Sequence, residues 1–260
     1  MLIAILTDEY LPSGTRVHAK MFHELAVCLE RLGHHPVVIT PGTPSQPSML
    51  VIDHIDNVEV WRFRAGYTRG VGMVRRAINE WLLPYRAWLA IKSKVRVGKF
   101  DLCINYAPTI FFGPLARRFR RQGTYVYLIV RDMFPQWIID QGLIREKSIA
   151  AYFFKYYEKL NYKASDCIGV QSQANLEVFS TKFPYCNNLE VLRNWSATPA
   201  LLAKYSNKGF LVEHSLTDKV IFFYGGNTGY AQDMENVMRL AKSLSVINEA
   251  HFLIIGQGDE

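Results

Sequence analysis

Short apolar runs alternate with stretches of helical period along most of the chain. The runs at 2–7, 36–40, 58–63, 101–105, 125–130, 166–171, 220–224 and 252–256 predict strands. Several are apolar on both faces, the pattern of a parallel sheet covered by helices. Between the first two, Phe22, Leu25, Ala26, Leu29 and Leu32 share one helical face, and Gly33 is suited to end the helix. Ile149, Tyr152, Phe153, Tyr156 and Leu160 mark a second amphipathic helix, and Met234, Val237, Met238 and Ala241 a third. The proline-rich stretch 41–47 predicts a loop. Strand and helix in alternation predict an α/β, doubly wound architecture. A polar break lies between about residues 190 and 215. It predicts a complete Rossmann-like domain over 1–190 and the start of a second over 191–260. The second part holds only strand, helix, strand, too little to close a core of its own.

With 49% hydrophobic residues in 260, the chain is not a disordered polymer. No run of about 18 apolar residues occurs, so no transmembrane helix is expected. The opening MLIAILTDEYLP reads as a buried strand and not as a secretory signal. Cys28, Cys103, Cys167 and Cys186 are widely spaced and form no CxxC pair, so neither a zinc site nor a disulfide framework is expected, and a reducing cytosol is the default.

The net charge of +7 is unevenly distributed. Residues 62–121 carry 14 Lys and Arg against Glu80 and Asp101, a local +12, while the remaining 200 residues hold 16 basic and 21 acidic, or −5. A basic segment on a slightly acidic chain predicts an anionic partner. Within it, Arg75, Arg76, Trp81, Arg86, Trp88 and Lys92 mix cationic with aromatic side chains over helical stretches, and Arg117, Arg118, Arg120 and Arg121 extend the charge. That composition suits an interfacial helix on anionic lipid. A solvated basic face with its tryptophans in the core fits as well. No nucleic-acid-binding module is visible.

Three loops carry candidate chemistry. The strand ending at Tyr224 runs into Gly225, Gly226, Asn227, Thr228 and Gly229, then Gln232, ahead of a helix. Glycines there would let backbone amides approach a phosphate at a helix N-terminus, although a tight unliganded turn reads the same. The segment is neither a Walker A loop nor GxGxxG. The first strand leads into Asp8 and then Ser13, Gly14, Arg16 and His18, where an α/β sheet places ligands. Gly14 and Arg16 are candidates for an acceptor contact, and a surface Asp8–Arg16 pair is the plainer alternative. Arg131 and Asp132 follow the most apolar strand and precede Phe134-Pro135-Gln136-Trp137. Asp132 could orient or deprotonate a hydroxyl and Arg131 could neutralise a phosphate. A buried Arg–Asp pair beside a proline turn is the alternative.

Taken together, these segments resemble a GT-B glycosyltransferase of family 4. Pro12-Ser13-Gly14 with Leu32-Gly33-His34-His35-Pro36-Val37 is similar to the family's P-x-x-G-G … G-H-x-V opening, with Ser13 in place of the first glycine. Val191-Leu192-Arg193-Asn194-Trp195 looks like its Val-x-Pro-Asn segment, and 223–229 with 253–258 looks like the first two strands of its nucleotide-sugar domain. Arg131-Asp132 through Trp137, with residues 8–17, points most closely to bacterial O-antigen or capsule enzymes, and among these to L-fucosamine transferases. The resemblance implies two Rossmann-like domains, the second incomplete. It implies a retaining, metal-independent hexosyl transfer with no cofactor beyond a nucleoside-diphosphate sugar donor. Gly225, Gly226, Asn227, Thr228, Gly229, Gln232 and Asn194 would hold the donor, and Asp132 with Arg131 would face the reacting centre. Ser13, Gly14, Arg16 and His18 would lie on the acceptor side. The acceptor would be a saccharide on a polyprenyl diphosphate at the inner face of the plasma membrane, with a cytoplasmic, peripheral enzyme held there by Arg75, Arg76, Trp81, Arg86, Trp88 and Lys92.

The sequence departs from the family where Gln232 and Asp233 replace an expected basic residue. The family's acidic pair, spaced by seven residues, is expected beyond Glu260. Truncation and weak catalysis by these 260 residues are therefore expected. A nucleotide-sugar epimerase of the same fold and a non-catalytic remnant are the competing readings.

Overall fold

The computed structural model describes all residues except 15, 108, 197–207, 229–231 and 259–260. The chain divides into two compact units, Met1–Ala197 and Thr198–Glu260. In the first, β1 (Leu2–Leu6), β2 (His35–Gly42), β3 (Leu50–Ile55), β4 (Val58–Arg64), β5 (Leu102–Ala107), β6 (Tyr125–Val130), β7 (Cys167–Val170) and β8 (Leu189–Val191) build one sheet. Its order is β3-β4-β2-β1-β5-β6-β7-β8. Every pairing is parallel except the β3–β4 hairpin. The two edge strands, β3 and β8, are the ones the apolar pattern does not reveal.

The strand order reverses at β1, so right-handed crossovers place helices on opposite faces. On one face α1 (Val17–Arg31) buries Phe22 and Ala26 against Ile3 and Ile5. On the other, Leu83, Ala87 and Ile91 of α2 (Met73–Val97) and Leu115, Ala116 and Phe119 of α3 (Gly113–Arg121) pack on Ala4 and Leu6. The alternation of β1 residues between these clusters is the period of two that a sheet buried on both faces requires. The short α4 (Gln136–Asp140), α5 (Ile149–Lys163) and α6 (Gln173–Lys182) complete the unit.

Three local expectations are corrected. Gly33 ends α1 with φ +81° as expected, but Leu32, placed on the buried helical face by the pattern, is the exposed C-cap outside it. Strand β2 continues through Pro41 and Gly42, which pair with Phe63 and Arg64, so the loop begins later than the prolines suggest. On α5 the apolar stripe faces outward: Ile149, Tyr152, Phe153 and Tyr156 are exposed, while Ala151, Tyr157, Glu158, Asn161 and Tyr162 are buried. The buried polar members are paired in part within the unit, Asn161 Nδ2 being left without a partner. Asn161 Oδ1 accepts from Asn105 Nδ2 at 2.8 Å, Tyr162 donates to Glu158 at 3.1 Å, and Trp81 Nε1 donates to Tyr157 at 2.5 Å.

In the second unit, α7 (Lys208–Glu213) precedes β9 (Val220–Asn227), α8 (Met234–Ser243) and β10 (Ala250–Gln257). β9 and β10 pair in parallel as a two-stranded sheet. Phe222 and Phe252 stack across it at 4.9 Å, while Phe223 and Ile255 stay exposed.

Candidate active site

The C-terminal edge of the central strands β1, β5 and β6 gathers the polar residues of the first unit. Asp8 lies just after β1, Tyr106 is the next-to-last residue of β5, and Arg131 leaves β6. His18, on the first turn of α1, brings Nε2 to 3.2 Å from Asp8 Oδ1, and Arg16 lies 3.6 Å from the same carboxylate. Neither Asp8 Oδ1 nor His18 Nε2 has a well-aligned hydrogen bond, so the contact is held by charge and proximity. Burial opposes ionisation of Asp8. His18 and Arg16 outweigh it and hold the carboxyl below the ordinary aspartate value. The His18 ring packs at 5.0 Å on Tyr106, whose hydroxyl burial pushes well above the ordinary tyrosine range.

Arg131 interacts electrostatically with Tyr106. Its Nε and Nη2 are buried with no hydrogen-bond partner, and burial lowers its pKa. The guanidinium lies 5.1 Å above the Trp195 ring, and the Arg131 backbone carbonyl accepts from Gln171 Nε2 at 2.7 Å. Trp195 is itself fixed: it packs edge-on at 5.8 Å against Phe22 and donates to the Met21 carbonyl at 3.1 Å. The segment after β8 thus lies across the α1 face of the sheet. Asp132 is exposed and makes no ion pair with Arg131 among the described residues, so the buried Arg–Asp pair is not formed.

Gly14 is required where it stands, since a Cβ would lie 2.8 Å from Ala19 Cβ and 2.8 Å from the Tyr10 carbonyl. This close approach starts α1 beside Asp8. Ser13 is exposed in the turn. Behind it, Tyr10 bonds His23 Nδ1 at 2.8 Å, and His23 Nε2 meets Asp56 at 2.9 Å. Sequence reading missed this chain and missed Tyr106. Their one available signal is a polar atom near a strand end, which many surface residues share.

In the second unit Gly225, Gly226 and Asn227 lie within β9, opposite Ile255, Gly256 and Gln257, and not in a loop after it. The strand is three residues longer than its apolar run, so the turn that leads to α8 begins at Thr228. Glycines on the partner strand make room for that turn. A Cβ on Gly256 would lie 2.4 Å from the Gly226 carbonyl, and one on Gly258 would lie 2.2 Å from the Thr228 carbonyl. Asn227 Nδ2 donates to Gln232 Oε1 at 3.1 Å, and Tyr224 donates to the Asn227 carbonyl at 2.5 Å. Gly229 lies outside the described residues. Asn194 is exposed in the first unit.

Of the basic set, Arg75, Arg76 and Lys92 are exposed on α2, Arg86 is half-buried, and Trp81 is 36% exposed. Trp88 is turned inward: it packs against the core with the Arg118 guanidinium 4.8 Å above its ring. Among the described residues, no helix is long and apolar enough to cross a membrane, and no group of three His, Cys, Asp or Glu could hold a metal.

The sequence profile of the Glycosyl transferase 4-like domain matches residues 18–195. The chain is 22% identical over 256 residues to a probable glycosyltransferase, WbjE, of Pseudomonas aeruginosa; the match covers 97% of this chain and 62% of that protein. Sucrose-phosphate synthase from Thermosynechococcus elongatus superposes with a TM-score of 0.68 at 14% identity, covering 99% of this chain and 63% of that one. A trehalose-6-phosphate protein of E. coli bound with UDP-2-fluoro glucose gives 0.65 at 10%, covering 100% and 65%. Starch Synthase IV of Arabidopsis thaliana bound to ADP and acarbose gives 0.63 at 12%, covering 100% and 69%. These solved structures establish the α/β GT-B glycosyltransferase fold. With its profile matched over most of the first unit, the chain belongs to the glycosyl transferase 4-like domain family.

Proposed function

We propose that the chain acts in hexosyl transfer from a nucleoside-diphosphate sugar to a saccharide on a polyprenyl diphosphate, during O-antigen or capsule assembly. The family and the probable glycosyltransferase WbjE support the transferase class. The single observation that carries the acceptor-side reading is Arg131, whose buried Nε and Nη2 lack partners at the edge where such sheets bind ligands. A buried cationic donor left unpaired is costly, and an anionic or hydroxyl-bearing substrate would satisfy it.

In this reading the acceptor hydroxyl lies against exposed Asp132, which takes up its proton as the new C1–O bond forms. The bond from C1 to the departing diphosphate breaks, and the electron pair leaves with that oxygen, whose charge Arg131 neutralises. Retention requires attack from the leaving-group side, and no metal ion enters the scheme. Asp8 holds His18 so that its ring, backed by Tyr106, borders the acceptor, with Arg16, Gly14 and Ser13 at the rim. Gly225, Gly226, Asn227, Thr228 and Gly229 with Gln232 are the donor-side residues of the second unit, and Asn194 is that of the first. Those in β9 offer only the N–H groups that the strand pairing leaves free. An L-fucosamine-type donor is the finer assignment, resting on the Arg131–Trp137 segment. Exposed cations of α2 would hold the enzyme peripherally at the inner leaflet.

The test uses labelled UDP- and GDP-sugars with a polyprenyl-diphosphate-linked saccharide. Label should enter the lipid fraction with one donor. Arg131→Ala and Asp132→Asn should each lower the rate by about 100-fold, the exposed Asp132→Asn with an unchanged melting temperature. Absence of transfer from every donor would overturn the proposal, and sugar-nucleotide conversion without acceptor would replace it with the epimerase reading.

A further inference from the structure

Helices α2 and α5 each carry an exposed stripe that changes character along its length. On α2, Val74, Ile78, Trp81, Tyr85 and Leu89 follow one another at helical spacing and lead to Lys92 and Arg96, all exposed. On α5, Ile149, Tyr152, Phe153 and Tyr156 lead through Leu160 to Lys163 in the same spacing. The hydrogen bond from Trp81 to Tyr157 ties the two helices side by side. Both connect parallel strands, so both run opposite to the sheet. Their apolar beginnings therefore lie at the strand edge that carries Arg131, and their basic ends at the far edge.

At the basic end a cavity of about 400 Å³ opens between α3 and α5. Its lining is Arg117, Arg120, Arg121 and Lys163 over an apolar floor of Leu160 and Ala164, with no acidic residue. Arg120 is partly committed, bonding Asp166 at 2.8 Å and the Lys163 carbonyl at 3.0 Å. Neither Arg117 nor Arg121 has a carboxylate partner among the described residues. An aromatic and aliphatic band continuous with a cationic, apolar-floored recess is complementary to one kind of surface: a bilayer that bears anionic phosphate headgroups.

We infer that the α2–α5 face is a monotopic docking surface on anionic phospholipid, and that the cavity between α3 and α5 seats a lipid phosphate. This deepens the membrane-side reading above. It moves the binding determinants from α2 alone to α5 and α3 and takes Trp88 out of them. Ile149, Tyr152, Phe153 and Tyr156 enter the headgroup–acyl boundary, where aromatic rings are favoured. The orientation sets the Arg131 edge beside the bilayer, where a lipid-linked acceptor is delivered.

The test is co-sedimentation with vesicles of phosphatidylcholine alone or with about 30 mol % phosphatidylglycerol, in the absence of any sugar nucleotide or acceptor. Binding should require phosphatidylglycerol. Arg117→Glu/Lys163→Glu should lower the partition coefficient on the order of 1,000-fold, from the contribution each charge makes near an anionic surface. The milder Arg117→Gln/Lys163→Gln should lower it about 30-fold, which serves if the reversal does not fold. Ile149→Ser/Tyr152→Ser should lower it at least tenfold. Lys20→Glu/Arg31→Glu on α1, on the opposite face, should leave it within about twofold. Equal binding to both vesicles, an equal loss from the α1 pair, or release by millimolar inorganic phosphate would each overturn the lipid assignment. Sugar transfer to a water-soluble acceptor analogue, followed separately, reports the transferase reading and is indifferent to this outcome.

Discussion

Glu158 is the most unfavourably placed acid of the first unit, and replacing it should stabilise the protein in a way that depends on pH. It is 5% exposed on the inner side of α5. Its one hydrogen bond to a side chain comes from the Tyr162 hydroxyl at 3.1 Å. Lys155 and Lys182 pull its pKa down but are held elsewhere, on Glu146 at 3.3 Å and Gln136 at 2.6 Å. Burial dominates and pushes the carboxyl up from its ordinary 4.5 to about 7. An acid that binds its proton more tightly when folded loses folding stability as pH rises between those values. Each unit of displacement is worth about 1.4 kcal/mol, so ionised Glu158 costs about 3 kcal/mol at pH 8 and under about 1 kcal/mol at pH 5. Glu158→Gln keeps an oxygen for Tyr162 and removes the charge. The variant should melt about 6–12 °C above the parent at pH 8, with the gap closing toward pH 5, given 2–4 °C per kcal/mol for a unit of this size. Calorimetric melts of both proteins between pH 5 and 8 measure it. A gap that does not change with pH, or a variant that melts lower at pH 8, would refute the assignment of the penalty to a buried charge.

Three further outcomes follow from single contacts. Gly113→Ala should lower the urea midpoint by an amount worth about 1–3 kcal/mol, because its Cβ would lie 2.7 Å from Asn161 N and 2.8 Å from Asn161 Cα where α3 meets α5; an unchanged midpoint would mean that the helices slide apart freely. Asp8→Asn should destabilise by about 1–2 kcal/mol at pH 7 and by less below pH 4, since a carboxyl with a depressed pKa stabilises above its unfolded value and loses that contribution as pH falls; chemical denaturation at the two pH values checks the sign. Trp195→Ala should cost about 2 kcal/mol in the same assay and lower sugar transfer as well, because it removes the ring under Arg131 and the contact with Phe22; loss of stability with full transfer would separate the ring from the site.

The interior strands were legible because each is flanked on both sides and buried on both faces, so that Leu2–Leu6 and Tyr125–Val130 read as unbroken apolar runs. The edges were not. β3 carries exposed Ile52 and His54 and pairs only with β4, and β8 is three residues long. The outward stripe of α5 failed for a different reason. Periodicity ranks Ile149, Tyr152, Phe153 and Tyr156 as a core face because it scores side chains one at a time. The helix buries Tyr157, Asn161 and Tyr162 instead, because Trp81 and Asn105 supply partners from distant positions and Glu158 accepts from Tyr162 one turn away. A buried polar group costs least when it is paired, and pairing is a property of the fold.

The same argument sorts the site. Arg131 and His18 were marked by their place after a strand and at a helix start, which position in sequence can show. Asp8 stood out only as a partner for Arg16, and its closer neighbour is His18. Tyr106 carried no mark, although it contacts His18 and Phe22 and adjoins Arg131. What makes this edge a candidate site is an imbalance. The Tyr10–His23–Asp56 chain close by is closed at every step, whereas Arg131 is left with two buried donors unanswered. Thr40 Oγ1, Asn105 Oδ1 and Asn161 Nδ2 are also buried without partners but are neutral, whereas Arg131 carries a charge that a carboxylate such as Asp132 would answer if it came into range. Asp132 remains exposed and unpaired with it, so the open donors are a property that the first unit preserves. Substitution of Arg131 by Met, similar in length and without donors, should therefore stabilise the unit while abolishing transfer. A stability gain without that loss would show the imbalance to be incidental.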